Sequence, residues 1–199
     1  MPNDRRLTTG DIVYHVLNRA QGKKTLFFNN QDYQVFETIL KEAKTKVSMR
    51  ILAYCLMPNH WHMILYPRRD NDLSHFIHWL CTTHAKKTHA FRGTTGSGHL
   101  YQDRYKSFPV VTDAHFYQVC RYVERNALRA ELVAKAQDWP WSSAYTRTQG
   151  HDNAGLLDEW PAEFPANYLE WLNLPQDNEV VENIRRTIQP LRGRPKKNP

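Results

Sequence analysis

Runs of apolar residues along the chain predict four strands and three principal helices. Asp11–Arg19 (DIVYHVLNR) is β-branched and partly alternating, which predicts a first strand. One of Asn29, Asn30 or Gln31 then opens a helix whose apolar positions Val35, Phe36, Ile39, Leu40 and Ala43 fall at helical spacing. The apolar runs Met49–Leu56 and Trp61–Tyr66 flank the turn signal Met57-Pro58-Asn59 and predict an antiparallel hairpin. Asp70-Asn71-Asp72 supplies an N-cap region for a helix from Leu73 to Phe91. Beyond the Gly93–Gly98 loop, Tyr101–Val111 reads as a strand near a sheet edge, because Pro109 interrupts it. Asp113 is expected to cap a helix carrying Phe116, Val119, Cys120 and Val123 and reaching toward Leu132. A short closing element begins at Asp138–Ser143.

The order β-α-β-β-α-β-α predicts an α+β fold: a ferredoxin-like split-βαβ antiparallel sheet with helices packed on one face, plus a C-terminal extension. Trp160 and Trp171 are expected to dock that extension. The 41% hydrophobic content is enough for a core. No apolar run approaches the roughly 20 residues that cross a bilayer, and the N-terminus lacks a secretory signal. Cys55, Cys81 and Cys120 are odd in number and widely spaced, which excludes a disulfide framework and a CxxC zinc site. These features predict a cytoplasmic protein with reduced thiols, without a membrane partner.

Charge divides the chain into three parts. Residues 1–150 carry 21 Lys+Arg against 12 Asp+Glu, residues 151–184 carry 8 acids and no Lys or Arg, and residues 185–199 carry 6 Lys+Arg and no acid. This partition predicts a basic body (1–150), an acidic accessory extension (151–184) and a basic, disordered tail (185–199). A basic body and tail suit a polyphosphate partner, and equally suit plain solubility.

The chemistry is concentrated in His60-Trp61-His62, Tyr122 and Asn126. Residues two apart on a strand share a face, so His60 and His62 can present two imidazoles to a divalent ion while Trp61 points into the core. Residues four apart on a helix share a face, so Tyr122 and Asn126 can present a phenol beside an amide oxygen. Taken alone, each pair is better described as polar side chains on a solvated strand or an amphipathic helix. Together they offer a metal site beside a covalent nucleophile.

At these residues the chain resembles a known family. Met57–Leu65 (MPNHWHMIL) resembles the His-hydrophobic-His motif of the HUH single-strand DNA transposases, and Arg121–Ala130 (RYVERNALRA) resembles their tyrosine helix. Tyr14–Arg19, Gly98–Phe108 and Trp139–Ser143 extend the likeness over most of residues 10–145, in the manner of the REP-associated tyrosine transposases. The resemblance implies that His60 and His62 bind Mg²⁺ or Mn²⁺, with Asn126 as third ligand. It further implies that Tyr122 attacks a DNA phosphate, leaving a 5′-phosphotyrosyl link and a free 3′-hydroxyl. The implied partner is single-stranded DNA beside an imperfect, REP-like hairpin, bound by a monomer or homodimer. Ala127 departs from the proline more usual after the asparagine.

Candidates for phosphate contact are Arg19, Lys86, Lys87, Arg92, Arg104, Lys106, Arg121, Arg125 and Arg129. Tyr101, Tyr105 and Phe108 are candidates for stacking on unpaired bases. In the tail, Arg192 and Arg194 lie in an Arg-Gly-Arg-Pro segment that resembles an AT-hook core, which fits a narrow minor groove; a solvating tail has the same composition. Two other functions share these features: a catalytically silent hairpin-DNA or RNA-binding protein, and an HUH replication initiator or relaxase. The short chain counts against the last.

Overall fold

The computed structural model describes residues 8–149 and 155–188. Strands β1 (Val13–Arg19), β2 (Met49–Met57), β3 (His60–Pro67) and β4 (Lys106–Val110) form one antiparallel sheet in the order β2-β3-β1-β4. The helices are α1 (Asn30–Lys46), α2 (Asp72–Phe91), α3 (Asp113–Glu124), α4 (Asn126–Arg129), α5 (Ser143–Thr148), α6 (Tyr168–Asn173) and α7 (Asn178–Ile188). Because β3 lies between β1 and β2, the β1-α1-β2 unit is split by its own hairpin partner. None of the described helices is long and apolar enough to cross a membrane.

Strand alternation divides the interior into two cores. Tyr14, Val16, Trp61, Met63 and Leu65 pack with Phe36, Ile39 and Leu40 of α1 and Phe76, Ile77 and Leu80 of α2. Val13 and Ile64 join the other core, with Phe116, Val119 and Val123 of α3, Ala127 of α4, and Val181 and Ile184 of α7. The expected packing on one face holds for α1 and α2, but the opposite face is covered too. The strands explain why: β2 and β3 are buried along nearly their whole length, so neither side can be left in water.

The outer edge of β2 is also closed, which removes a template for pairing with another chain. Leu56 N–H donates to Trp141 O at 2.9 Å, and Tyr54 N–H donates to Ser143 Oγ at 3.0 Å. A register shift between Ile51 and Ala53 turns the Leu52 carbonyl toward the extension, where Trp160 Nε1 donates to it at 2.8 Å. Trp160 and Trp171 therefore dock the extension, the latter beneath the Arg121 guanidinium. The charge break at residue 185 falls inside α7.

Four local expectations need correction. Strand β4 begins at Lys106 rather than Tyr101, which makes only an isolated bridge to Ala20. The cap of α3 is Thr112, whose hydroxyl accepts from His115 N–H at 3.2 Å, and not Asp113. The helix expected to reach Leu132 is divided at Arg125, where φ −87° and ψ 3° end α3. Val35 lies on the outward side of α1 and is exposed. Cys55, Cys81 and Cys120 are all free thiols.

Candidate active site

His60 and His62 open β3 and pair with Arg19 and Leu17 of β1 on one side and with Met57 and Cys55 of β2 on the other. As the strand period requires, Trp61 is buried in the opposite core. The His60 and His62 rings lie 5.1 Å apart at 81°. Tyr122 of α3 meets the His62 ring edge-on at 6.0 Å and the His15 ring at the same distance. His15, His62 and Tyr122, from β1, β3 and α3, thus meet on one face of the sheet.

Burial pushes His60 down to about 4, assisted by Arg19 and Arg129, and holds His62 well below its ordinary value. Both are therefore neutral near pH 7, the form that ligates metal. Each uses Nδ1 internally: His60 Nδ1 meets Asn59 Oδ1 at 2.6 Å, and His62 Nδ1 meets His15 Nε2 at 2.9 Å. The Nε2 atoms remain for a ligand. Two neutral imidazoles with engaged Nδ1 atoms fit a divalent ion.

Asn126, the expected third ligand, is hydrogen-bonded on both sides of its amide. Asn126 Oδ1 accepts from Arg129 Nη2 at 2.8 Å, while its Nδ2 donates to Val123 O at 3.2 Å. Among the described residues no group of three His, Cys, Asp or Glu side chains is arranged to hold a metal. The Asn126 carbonyl, which retains a second lone pair, can still offer a third protein oxygen.

Arg129 organises the tyrosine side. It donates to Tyr122 O at 2.9 Å, and its guanidinium lies 4.0 Å over the Tyr122 ring. Burial lowers its pKa to about 10, so it stays charged. Arg185 of α7 also approaches Tyr122; its pKa is raised, first by Glu182. Tyr122 is consequently only 4% exposed.

The residues predicted to hold DNA divide into two groups. Arg19, Lys86, Lys87 and Arg104 are exposed, Arg19 directly opposite His60 and Lys87 paired with Glu42 at 3.4 Å. Others are structural struts. Arg92 donates to Leu26 O at 2.7 Å and Asp32 at 3.0 Å, Arg121 to Leu174 O, and Arg125 to Leu172 O. Lys106 Nζ holds Ile188 O at 2.9 Å. Tyr101 is buried, hydrogen-bonded to Trp61 and His84, so it has no face for a base. Tyr105 is half-buried against Ser74 at 3.0 Å, and the partly buried Phe108 lies beside His15. Arg192 and Arg194 lie outside the described residues.

Two contributors were missed as site residues. His15 sits in a strand already singled out for its resemblance, and only the β1-β3 register shows that it reaches His62. Asn59 reads as a turn residue, yet its side chain engages His60.

Residues 8–126 match the family described as IS200-like transposases. Among solved structures, a REP-associated tyrosine transposase bound to a REP hairpin is 20% identical with a TM-score of 0.60, covering 83% of this chain and 96% of that one. A transposase structure from Deinococcus radiodurans R1 is 19% identical with a TM-score of 0.43, covering 63% and 97%. None of the curated proteins matches.

Proposed function

The chain belongs to the IS200-like transposase family, and from that premise we propose that it cuts and rejoins single-stranded DNA beside an imperfect hairpin. Tyr122 Oη attacks a phosphorus, forming a 5′-phosphotyrosyl bond as the P–O3′ bond breaks. The phenolic proton leaves, and the 3′ oxygen departs as a hydroxyl. A second 3′-hydroxyl reverses the step, so one phosphodiester is exchanged for another without external energy. His60 and His62 would hold Mg²⁺ or Mn²⁺, with Asn126 the candidate third ligand; the ion would supply neutralisation of the phosphate charge. Arg129 orients the Tyr122 ring, and Arg19, Lys86, Lys87 and Arg104 face the DNA backbone.

The observation that carries this reading is the edge-on meeting of Tyr122 with His62, whose Nε2, like that of the adjacent His60, is left unused by its Nδ1 contact. Hairpin DNA as substrate class follows the ligand of the structural neighbour. A second reading, a hairpin binder that does not cleave, draws support from the burial of Tyr122 and from Arg129 occupying Asn126. Incubating the protein with a hairpin oligonucleotide carrying a single-stranded flank and Mn²⁺ separates them. Cleavage predicts a covalent adduct on a denaturing gel, lost with EDTA and in Tyr122→Phe. Hairpin binding without an adduct favours the binder.

A further inference from the structure

The geometry points to His15 as a positioning residue that, with Asn59, fixes which nitrogen each ligand imidazole offers to the metal. This rests on the metal site proposed above. A neutral imidazole carries one N–H and one lone pair, and only the lone pair can ligate. Which nitrogen holds the proton is set by what the other one touches.

For His60 the assignment follows from Asn59. Its Oδ1 lies 2.6 Å from His60 Nδ1, and a carbonyl oxygen can only accept, so the proton is on Nδ1 and the lone pair on Nε2. For His62 the partner is another imidazole. His15 and His62 are diagonal neighbours across β1 and β3, since Leu17 pairs with His62 and His15 with Ile64. Their 2.9 Å contact is buried and joins His15 Nε2 to His62 Nδ1. One donates and the other accepts. If His62 is to present a lone pair at its remaining nitrogen, His62 Nδ1 must donate and His15 Nε2 must accept. His15 then carries its own proton on Nδ1. Asparagine in the turn and histidine in β1 thus do the same work for the two ligands: each accepts an Nδ1–H, orients the ring and leaves Nε2 bare. Outer contacts of this kind orient imidazole ligands in metal sites and raise their basicity.

The test has two readouts. Long-range ¹H–¹⁵N correlation spectra of the full-length, metal-free protein report histidine tautomers directly. His15, His60 and His62 are each expected as the Nδ1–H form; an Nε2–H form at His62 overturns the inference. Mn²⁺ affinity, followed by electron paramagnetic resonance of the free ion, should fall about 10–100-fold in His15→Ala. His15→Gln, which keeps an acceptor oxygen, should recover most of it. Equal Mn²⁺ affinity in wild type and His15→Ala, with binding abolished in His62→Ala, overturns the positioning role. Equal affinity in wild type, His60→Ala and His62→Ala instead overturns the metal site itself. Should His15→Ala fail to fold, the wild-type spectra and His15→Gln still decide.

Discussion

The Arg129 guanidinium lies 4.0 Å above the Tyr122 ring and donates to the Tyr122 carbonyl at 2.9 Å, so one cation holds both the ring and the backbone of the proposed nucleophile. A partly desolvated cation–π contact is worth ~1–2 kcal/mol, and the same charge faces any phosphate that reaches Tyr122. Arg129→Ala should lower the single-turnover cleavage rate by about tenfold or more, with hairpin affinity little changed. Arg129→Lys should fall between, because it keeps the charge but not the planar fork.

Stability should decline in mild acid. Burial pushes His84 down to about 3 from an ordinary 6.5, and His15 likewise to about 3. A histidine with a depressed folded-state pKa is protonated first in the unfolded chain. Its contribution is therefore full above about 6.5 and is lost as pH falls toward the folded-state value, at up to about 1.4 kcal/mol per pH unit for each such group. His60 and His62 act in the same direction. Urea midpoints measured from pH 7.5 to 4.5 should drop steadily, and His84→Asn should flatten part of the slope.

Glu124 ties the extension to the body. Its fully buried carboxylate accepts from Arg147, from Ser143 Oγ at 2.6 Å and from Tyr168 at 2.8 Å. Glu124→Ala leaves the Arg147 guanidinium buried without its counter-charge and should cost about 3–5 kcal/mol. Tyr168→Phe removes one hydrogen bond to a charged group and should cost about 1.5–3 kcal/mol. Equilibrium unfolding in urea checks both.

The sequence predicts a stacking role for Tyr101 that its position contradicts. Trp61 Nε1 donates to Tyr101 Oη at 3.2 Å, and His84 Nδ1 lies 2.8 Å from it. Tyr101→Phe should therefore lower stability by about 1–2 kcal/mol while leaving affinity for single-stranded DNA unchanged. Loss of affinity in a variant that melts like wild type would return the residue to the DNA surface.

Element order and the face each strand residue takes were legible because they rest on local periodicity. His60 and His62 fall on one face by strand geometry alone, and the Pro58-Asn59 turn fixes where that strand starts. Placing Tyr122 opposite them required the resemblance, since nothing local says which helix covers which face. The misses are tertiary. Arg92, Arg121 and Arg125 look like phosphate ligands in a list of residues, but each meets orphan carbonyls at a loop or helix end. The contacts of Asn126 with Arg129 and with the Val123 carbonyl were likewise not legible, because they depend on how the chain turns at Arg125. The His15 contact depends on a diagonal across two strands 47 residues apart, which no window of sequence contains.

Mass spectrometry of the trypsin-digested protein–DNA adduct tests the central claim most directly. Cleavage after Arg121 and Arg125 releases Tyr122–Arg125, a peptide with one hydroxyl-bearing side chain. A nucleotide phosphate attached to that peptide at Tyr122 is the predicted result. An adduct carried by any other peptide, or a hairpin substrate cut without any covalent intermediate, would contradict the account.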